Sequence, residues 1–534
     1  MKIKEFLKDF FVGIKSGISR FLVAFICTIL TFITFSYETL FETGTDEMIV
    51  PLCMAFVITA VLSVLLKTTQ EYITEKLNPV IQHSISTVIA VVSFFLIKAN
   101  YESLYMIMAY VGIMIALICF IFFVLMRGEN RDLVFPKLIS SSVFTGAVCS
   151  IISGGLSTCI GAFNALIFSF EEIYKVYTIV LSFVWIVCFI NIFLSFIPKK
   201  DVPVTKSKIF RVFVLFAGLP LYILLIGILL LYLAKIVITL KLPVGEINWF
   251  ASFASLFFIF FLLSVKQYSE KIARLFVKFG GYFLLPVLIM QAIAVFERVN
   301  AYGLTTPRTV SLVLIVISVL FILGSIITPK HLNKIALLAG LIVLIVTITP
   351  FNVIDMPISS QTAILEKVLV KNDMLKDGKV VPNENVSDED GKIISSSYRY
   401  LKYNAKKVPE FIPNSQLEFE EIFGIPDKYD RYGNSHIYCN FRTNDPVNIE
   451  EYHTMINMDY YYGEVLEVEH DGNKYTIDLK QIAKQLYDQY GAEKNDMDIY
   501  KVDENVSLYF ANFHFDIEND EVKYCNFDGY VLLK

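Results

Sequence analysis

The stretch Glu297-Arg298-Val299-Asn300-Ala301-Tyr302-Gly303-Leu304-Thr305-Thr306-Pro307-Arg308 is unusually polar for a short connection between two apolar runs. Arg298 and Arg308 offer guanidinium forks that match a carboxylate or a phosphate, with Tyr302 and Thr305 to add hydrogen bonds and Glu297 beside them. The same residues also fit an interfacial turn, with both arginines snorkelling, Glu297 paired locally and Tyr302-Gly303 turning the chain. A second cluster, Glu42, Asp46 and Glu47, has the carboxylates that a general base or a metal site beside a bilayer would need. Acidic residues also collect in such loops simply because basic ones are excluded from them. Cys439 and Cys525 sit in two copies of Tyr-Cys-Asn-Phe, where they are either a disulfide or two unpaired core thiols. No Cys/His spacing suggests zinc, and the acidic runs Asp496 to Glu504 and Asp516 to Glu521 lack the spacing of a calcium loop, so neither metal nor cofactor is expected.

The elements that must position these residues are apolar. Of 534 residues 55% are hydrophobic and 18% charged, and the mean hydropathy is +0.59. That excess exceeds what a globular core absorbs and excludes a soluble enzyme, a nucleic-acid binder and a disordered scaffold. Runs long enough to cross a bilayer fall near 21–37, 48–66, 80–97, 104–126, 138–161, 176–197, 212–234, 249–265, 279–296, 309–328 and 335–350. The expected fold is therefore a polytopic α-helical membrane protein of about 11 transmembrane helices, followed by a C-terminal soluble α+β domain. Its parts are a basic N-terminus (1–20), a helical membrane domain (21–350) and an acidic domain (351–534).

Charge sets the expected orientation. Residues 1–350 carry 27 basic and 17 acidic side chains, a net of +10, and residues 351–534 carry 19 and 34, a net of −15. The N-terminus and even-numbered connections hold 21 Lys and Arg against 6 in the odd-numbered ones. Because positive loops stay on the cytoplasmic side, the N-terminus is expected inside a bacterial cell membrane and the acidic domain outside. Residues 138–170 form one uncharged stretch, read as one span with room for a re-entrant piece. Within it Gly146, Ser150, Gly154, Ser157 and Gly161 form a stripe that lets helices pack closely. Pro220 and Pro286 mark expected kinks.

Beyond Pro350 the pattern changes to helices over 360–375 and 387–403, the second capped by Ser387. Strands over 465–479 are joined by Asp471-Gly472, then come a helix over 481–490 and strands over 507–515 and 522–533.

The chain resembles the bacterial polytopic membrane family catalogued as domain of unknown function 4153. The resemblance rests on Arg298-x-x-x-Tyr302-Gly303-Leu304-Thr305-x-x-Arg308, Leu369 to Leu375, Gly378 to Pro382 and Ser387 to Asp390, and covers much of residues 1–405. It implies membership and architecture without supplying catalytic residues. The first functional reading is a platform or sensor that presents the outer domain to a ligand or protein partner. A small-molecule or lipid transporter is the second, although the span centres lack the ionisable residue that coupling usually requires. An outer-face lipid-linked transferase is the third. The expected partners are the lipid bilayer, an anionic lipid or small molecule at the outer face and a protein partner of the acidic tail, with no nucleic acid.

Overall fold

In a computed structural model of the chain all eleven apolar runs are helices, and among the described residues they number 11: Leu22–Phe41, Glu47–Tyr72, Pro79–Lys98, Leu104–Leu125, Arg131–Leu166, Ile173–Ser195, Lys208–Thr239, Asn248–Val265, Lys271–Tyr302, Thr306–Ile327 and Pro329–Ile348. They are called spans one to eleven below. The structure describes residues 2–534 apart from 43–45, 102, 129, 169, 201, 240–245, 406–407, 414–418, 426–435, 444–447, 491–492, 495–496 and 519–520. Contacts divide it into two compact units, residues 1–300 with 305–356, and residues 301–304 with 357–534.

In the first unit the apolar runs are helices, which bond their backbone groups within the segment, as a bilayer requires. Span five is one helix of 36 residues, which leaves no re-entrant piece. Its small-residue stripe packs only in part. Gly146 and Gly161 lie against Phe189 and Tyr177 of span six, whereas among the described residues no other element lies within 4 Å of a side chain placed at Gly154. Span seven contains a π-helical turn, Phe213–Gly218, directly before Leu219-Pro220. The proline ring would crowd the carbonyl one turn back, and a wider turn relieves that crowding. Span six has a second such turn, Phe183–Phe189. The amide of Asn191 reaches back to the Val187 carbonyl inside it (2.8 Å) and across to Thr28 Oγ1 of span one (3.0 Å), so this mid-span polar side chain bonds between helices.

Residues 2–20, read from sequence only as a basic start, form a helix, Lys2–Arg20. It approaches span six so closely that a side chain on Gly17 would stand 2.7 Å from Ser195 Cα. Contacts also gather the even-numbered connections at one end of the bundle. Arg20 grips Glu71 through Nε (3.0 Å) and Nη2 (2.6 Å) and donates to the carbonyls of Ile197 (2.6 Å) and Pro198 (3.0 Å). Asn130 reaches Val202 O (3.0 Å), and Lys266 reaches Asp132 (2.7 Å) and Pro329 O (2.5 Å). At the opposite end Glu42 pairs with Lys175 (3.0 Å) and Tyr105 reaches Ile348 O (3.1 Å). Arg20 and Ile348, before the first span and at the end of the last, thus lie at opposite ends of the bundle, as an odd number of crossings requires.

The second unit has two cores. The first is helical: Asp355–Lys371, a hairpin of β1 (Leu375–Lys376) and β2 (Lys379–Val380), and Asp388–Asn404 enclose Leu365, Leu369, Met374, Ile394 and Leu401. Ser387 caps the second helix by accepting from Asp390 N, as its position before the acidic turn predicts. The second core belongs to a sheet. Its strands are β3 (His436–Phe441), β4 (Thr454–Tyr462), β7 (Glu493–Lys494), β8 (Tyr500–Lys501), β9 (Val506–Glu518) and β10 (Glu521–Leu533), in the order β4-β10-β9-β3-β7, with β8 on β9. A separate hairpin, β5 (Val465–His470) and β6 (Asn473–Asp478), turns at Asp471-Gly472 as expected, both residues at positive φ. The helix Leu479–Tyr490 buries Ile482, Ala483 and Leu486 in the same core as one face of the large sheet.

Candidate functional site

The Arg298 to Arg308 stretch spans the end of span nine, a turn and the start of span ten. Glu297 is exposed and Arg298 half-buried, and among the described residues neither side chain makes a hydrogen bond or ion pair. Tyr302, four residues on, shares the helical face of Arg298. Thr305 is buried immediately before span ten, and Arg308, in its first turn, is only 8% exposed and engaged by neighbours. The pair of surface arginines that could close on an anion is therefore divided between a rim position and an interior one.

Residues 301–304 belong to the second unit, and the geometry there explains their sequence. Gly303 adopts φ +75°, a conformation that side chains disfavour. A Cβ at that position would stand 2.5 Å from Ile364 Cδ1 and 2.8 Å from Gln361 Nε2. The Gln361 amide donates to Tyr302 O (2.8 Å) and Leu304 O (2.9 Å), and Ser360 Oγ accepts from Leu304 N (3.0 Å). The turn is thus held through its backbone by the first helix of the second unit. Sequence reasoning missed Ser360 and Gln361, because nothing local marks a partner more than fifty residues away.

In the acidic cluster between spans one and two, Glu42 is already engaged. The Tyr174 hydroxyl (2.7 Å) and the Lys175 ammonium (3.0 Å) hold Glu42 below the usual carboxylate range. Asp46 opens the helix that becomes span two, and its side chain lies outside the described residues. Gln291, a second polar side chain within a span, donates to Asn248 Oδ1 and Ser252 Oγ, both at 2.9 Å, and so joins spans eight and nine.

The two Tyr-Cys-Asn-Phe segments prove to be one feature. Strands β3 and β10 flank β9, both antiparallel to it, and the repeats fall in register. Across the three strands the rows read Tyr438–Asp516–Tyr524, Cys439–Phe515–Cys525, Asn440–His514–Asn526 and Phe441–Phe513–Phe527. Strand side chains alternate between faces, so the cysteines and phenylalanines enter the core, where all are fully buried. Phe441 and Phe515 stack at 5.7 Å. Of the two readings, the disulfide is not formed. Cys439 and Cys525 stand on either side of Phe515, two strand spacings or about 9.6 Å apart, beyond the reach of a disulfide. Burial first, then nearby carboxylates, pushes each thiol up to about 12, so both are protonated and inert.

The opposite face carries the chemistry. It presents an Asn–His–Asn row beside Asp516 and Tyr524. Asp516 is 4% exposed, and the Oδ1 atoms of Asn440 and Asn526 are shielded from solvent without a hydrogen-bond partner among the described residues. Tyr462 stacks on Tyr524 (5.5 Å) and Tyr509 lies against Tyr530 (5.9 Å), which extends the face with aromatic surface. Sequence reasoning noted the repeat only for its cysteines. The signal for this site was the residues on either side of each cysteine, which alternation sends to the other face.

Eleven apolar helices followed by antiparallel sheets after residue 375 define a multi-pass membrane protein with a C-terminal α+β domain. The family model described as Domain of unknown function (DUF4153) matches residues 19–376, more than half of the chain, and the chain belongs to that family. The match takes in all eleven spans and the first helix of the second unit, and the large sheet lies beyond it. No curated protein and no solved structure matches the chain.

Proposed function

We propose that the protein is an envelope platform or sensor of the bacterial cell membrane, with its N-terminus in the cytoplasm and its second unit outside, presenting the Asn440–His514–Asn526 face to a ligand or partner. The observation that carries this reading is the in-register repeat. Two separate segments place matching asparagines on either side of His514 on one sheet face, with Tyr524 beside Asp516. A shielded amide oxygen without a partner costs about 1–3 kcal/mol, and such a cost is commonly met at sites kept for binding. Imidazole, amide, phenol and carboxylate groups together suit a ligand rich in hydrogen-bond donors and acceptors. The turn held by Gln361 supports the platform reading, because it makes part of the connection between spans nine and ten integral to the outer unit. Arg298, half-buried in the last turns of span nine, is the remaining candidate for an anionic ligand at the outer face, and an acidic surface suits a basic protein partner.

The test has two stages. With an impermeant maleimide on intact cells, Ser387→Cys and Asp46→Cys are expected to label while Ser207→Cys labels only after permeabilisation. Protection of Ser387→Cys would place the sheet in the cytoplasm and end this reading. Asn512→Cys, half-exposed on β9 and on the face of His514, is then expected to label severalfold more slowly in cells than in purified protein, and Asn440→Ala with Asn526→Ala should restore the rate. Equal rates in all three cases would show that nothing occupies the face.

A further inference from the structure

At the end of the bundle opposite the Arg298 turn, the termini of spans eight, nine and ten enclose a cavity of about 650 Å³ lined by Lys266, Tyr268, Arg274, Lys278, Phe279 and Ile326 among others. Its charge is unbalanced. Lys266 is matched by Asp132 and anchored by the Pro329 carbonyl, and the other nearby carboxylate, Glu270, pairs with Arg211. Arg274 and Lys278 stand four residues apart on one helical face, both exposed, and among the described residues neither side chain has a hydrogen bond or ion pair. Like charges at that spacing repel, so the arrangement favours a bound anion. Tyr268 supplies an independent observation. It is 7% exposed, and its hydroxyl is shielded with no hydrogen-bond partner among the described residues.

Two cations and a waiting hydroxyl fit a phosphate, and the apolar lining decides where that phosphate comes from. Phe279 and Ile326 are exposed within spans nine and ten, so a ligand whose charged head meets Arg274 and Lys278 would lay an apolar tail along them. The volume lies within the range of small-molecule sites. Basic cavities between helix ends on the cytoplasmic side suit anionic headgroups. We propose that this cavity binds the headgroup of an anionic phospholipid, with Arg274 and Lys278 on the phosphate and Tyr268 donating to it.

The experiment follows the melting of the full-length protein in a neutral detergent with added short-chain phosphatidylglycerol, matched phosphatidylcholine or inorganic phosphate. Phosphatidylglycerol is expected to raise the midpoint, and the other two are not. Arg274→Gln with Lys278→Gln, both at exposed positions, should need at least ten times more lipid for the same shift. Tyr268→Phe, which keeps the packed ring, should fall between. Equal stabilisation by phosphatidylcholine, or an unchanged response of the double variant, overturns the proposal. A shift produced by inorganic phosphate alone would assign the cavity to a soluble phosphate and overturn the lipid.

Discussion

Arg20 is the side chain whose removal should most damage the membrane bundle. Its guanidinium is 7% exposed and makes four hydrogen bonds: two to the Glu71 carboxylate, and one each to the carbonyls of Ile197 and Pro198. It therefore joins the N-terminal helix to span two and to the connection after span six. Breaking a buried ion pair by removing one partner costs about 3–5 kcal/mol. Glu71 is 23% exposed, so water recovers part of its charge, and about 3 kcal/mol is the expected loss for Arg20→Ala. That is roughly a hundredfold in the unfolding equilibrium. Arg20→Lys keeps the charge but loses the fork, and should lie between. Cys27 and Cys149 are buried within spans one and five, so a thiol-reactive fluorophore in detergent reports opening of the bundle as temperature rises. Arg20→Ala should lower that midpoint by several degrees. Adding Glu71→Gln to Arg20→Ala should cost little more, because the stranded charge is then gone. A wild-type midpoint for Arg20→Ala, or additive losses in the double variant, would refute this account.

Gly303→Ala should destabilise the second unit by about 1–2 kcal/mol, since a side chain in the left-handed region is strained and this one would also collide with Ile364 and Gln361. Faster proteolysis of residues 357–534 in the full chain is the readout. Denaturing alkylation without reductant should modify all eight cysteines, and a value of six would restore the disulfide. Asp390 gives a pH dependence. Burial alone would raise its carboxyl, but Lys371, Asn372 and Ser387 overcome that and hold it below the ordinary range. Its pairing therefore stabilises the unit fully above the unfolded value of about 3.9, and the contribution is lost as pH falls through the lower folded value. Asp390→Asn should flatten that acid limb of the melting profile while leaving the neutral region destabilised.

The spans were legible because a bilayer imposes one simple condition, an apolar run of fixed length, and each run satisfies it on its own. The strand pairs of the second unit were legible for a similar local reason: alternation and the Asp471-Gly472 turn act within a few residues. Other features fail that test of locality. The N-terminal helix was hidden by its lysines, although Ile3, Phe6, Phe10, Ile14 and Ile18 recur at helical spacing, and Phe10 and Ile14 pack on Cys149, Val184 and Ile192. β4, an edge strand, is tyrosine-rich and blurs the alternation that marks the others. Arg308 fits either an anion holder or a snorkelling arginine in the sequence, and its burial is decided only by the surrounding helices. The turn at Gly303 was noticed as a motif, yet its reason, a glutamine that holds its carbonyls, lies on another element.

The sheet repeat shows how one local pattern can specify two environments. In Tyr-Cys-Asn-Phe the cysteine and phenylalanine are small and large apolar partners, and placed on both sides of β9 they close the core around Phe513 and Phe515. Any pair of apolar residues of suitable volume could do that. The tyrosines and asparagines contribute nothing to that core. An isolated sheet would gain stability from valine or threonine at Asn440 and Asn526, since β-branched residues suit strands and the shielded oxygens would disappear. Stability therefore explains one half of each repeat. The other half is explained by the rows in which those asparagines flank His514 and Tyr524 lies beside Asp516, and the proposed function of the second unit rests on that half.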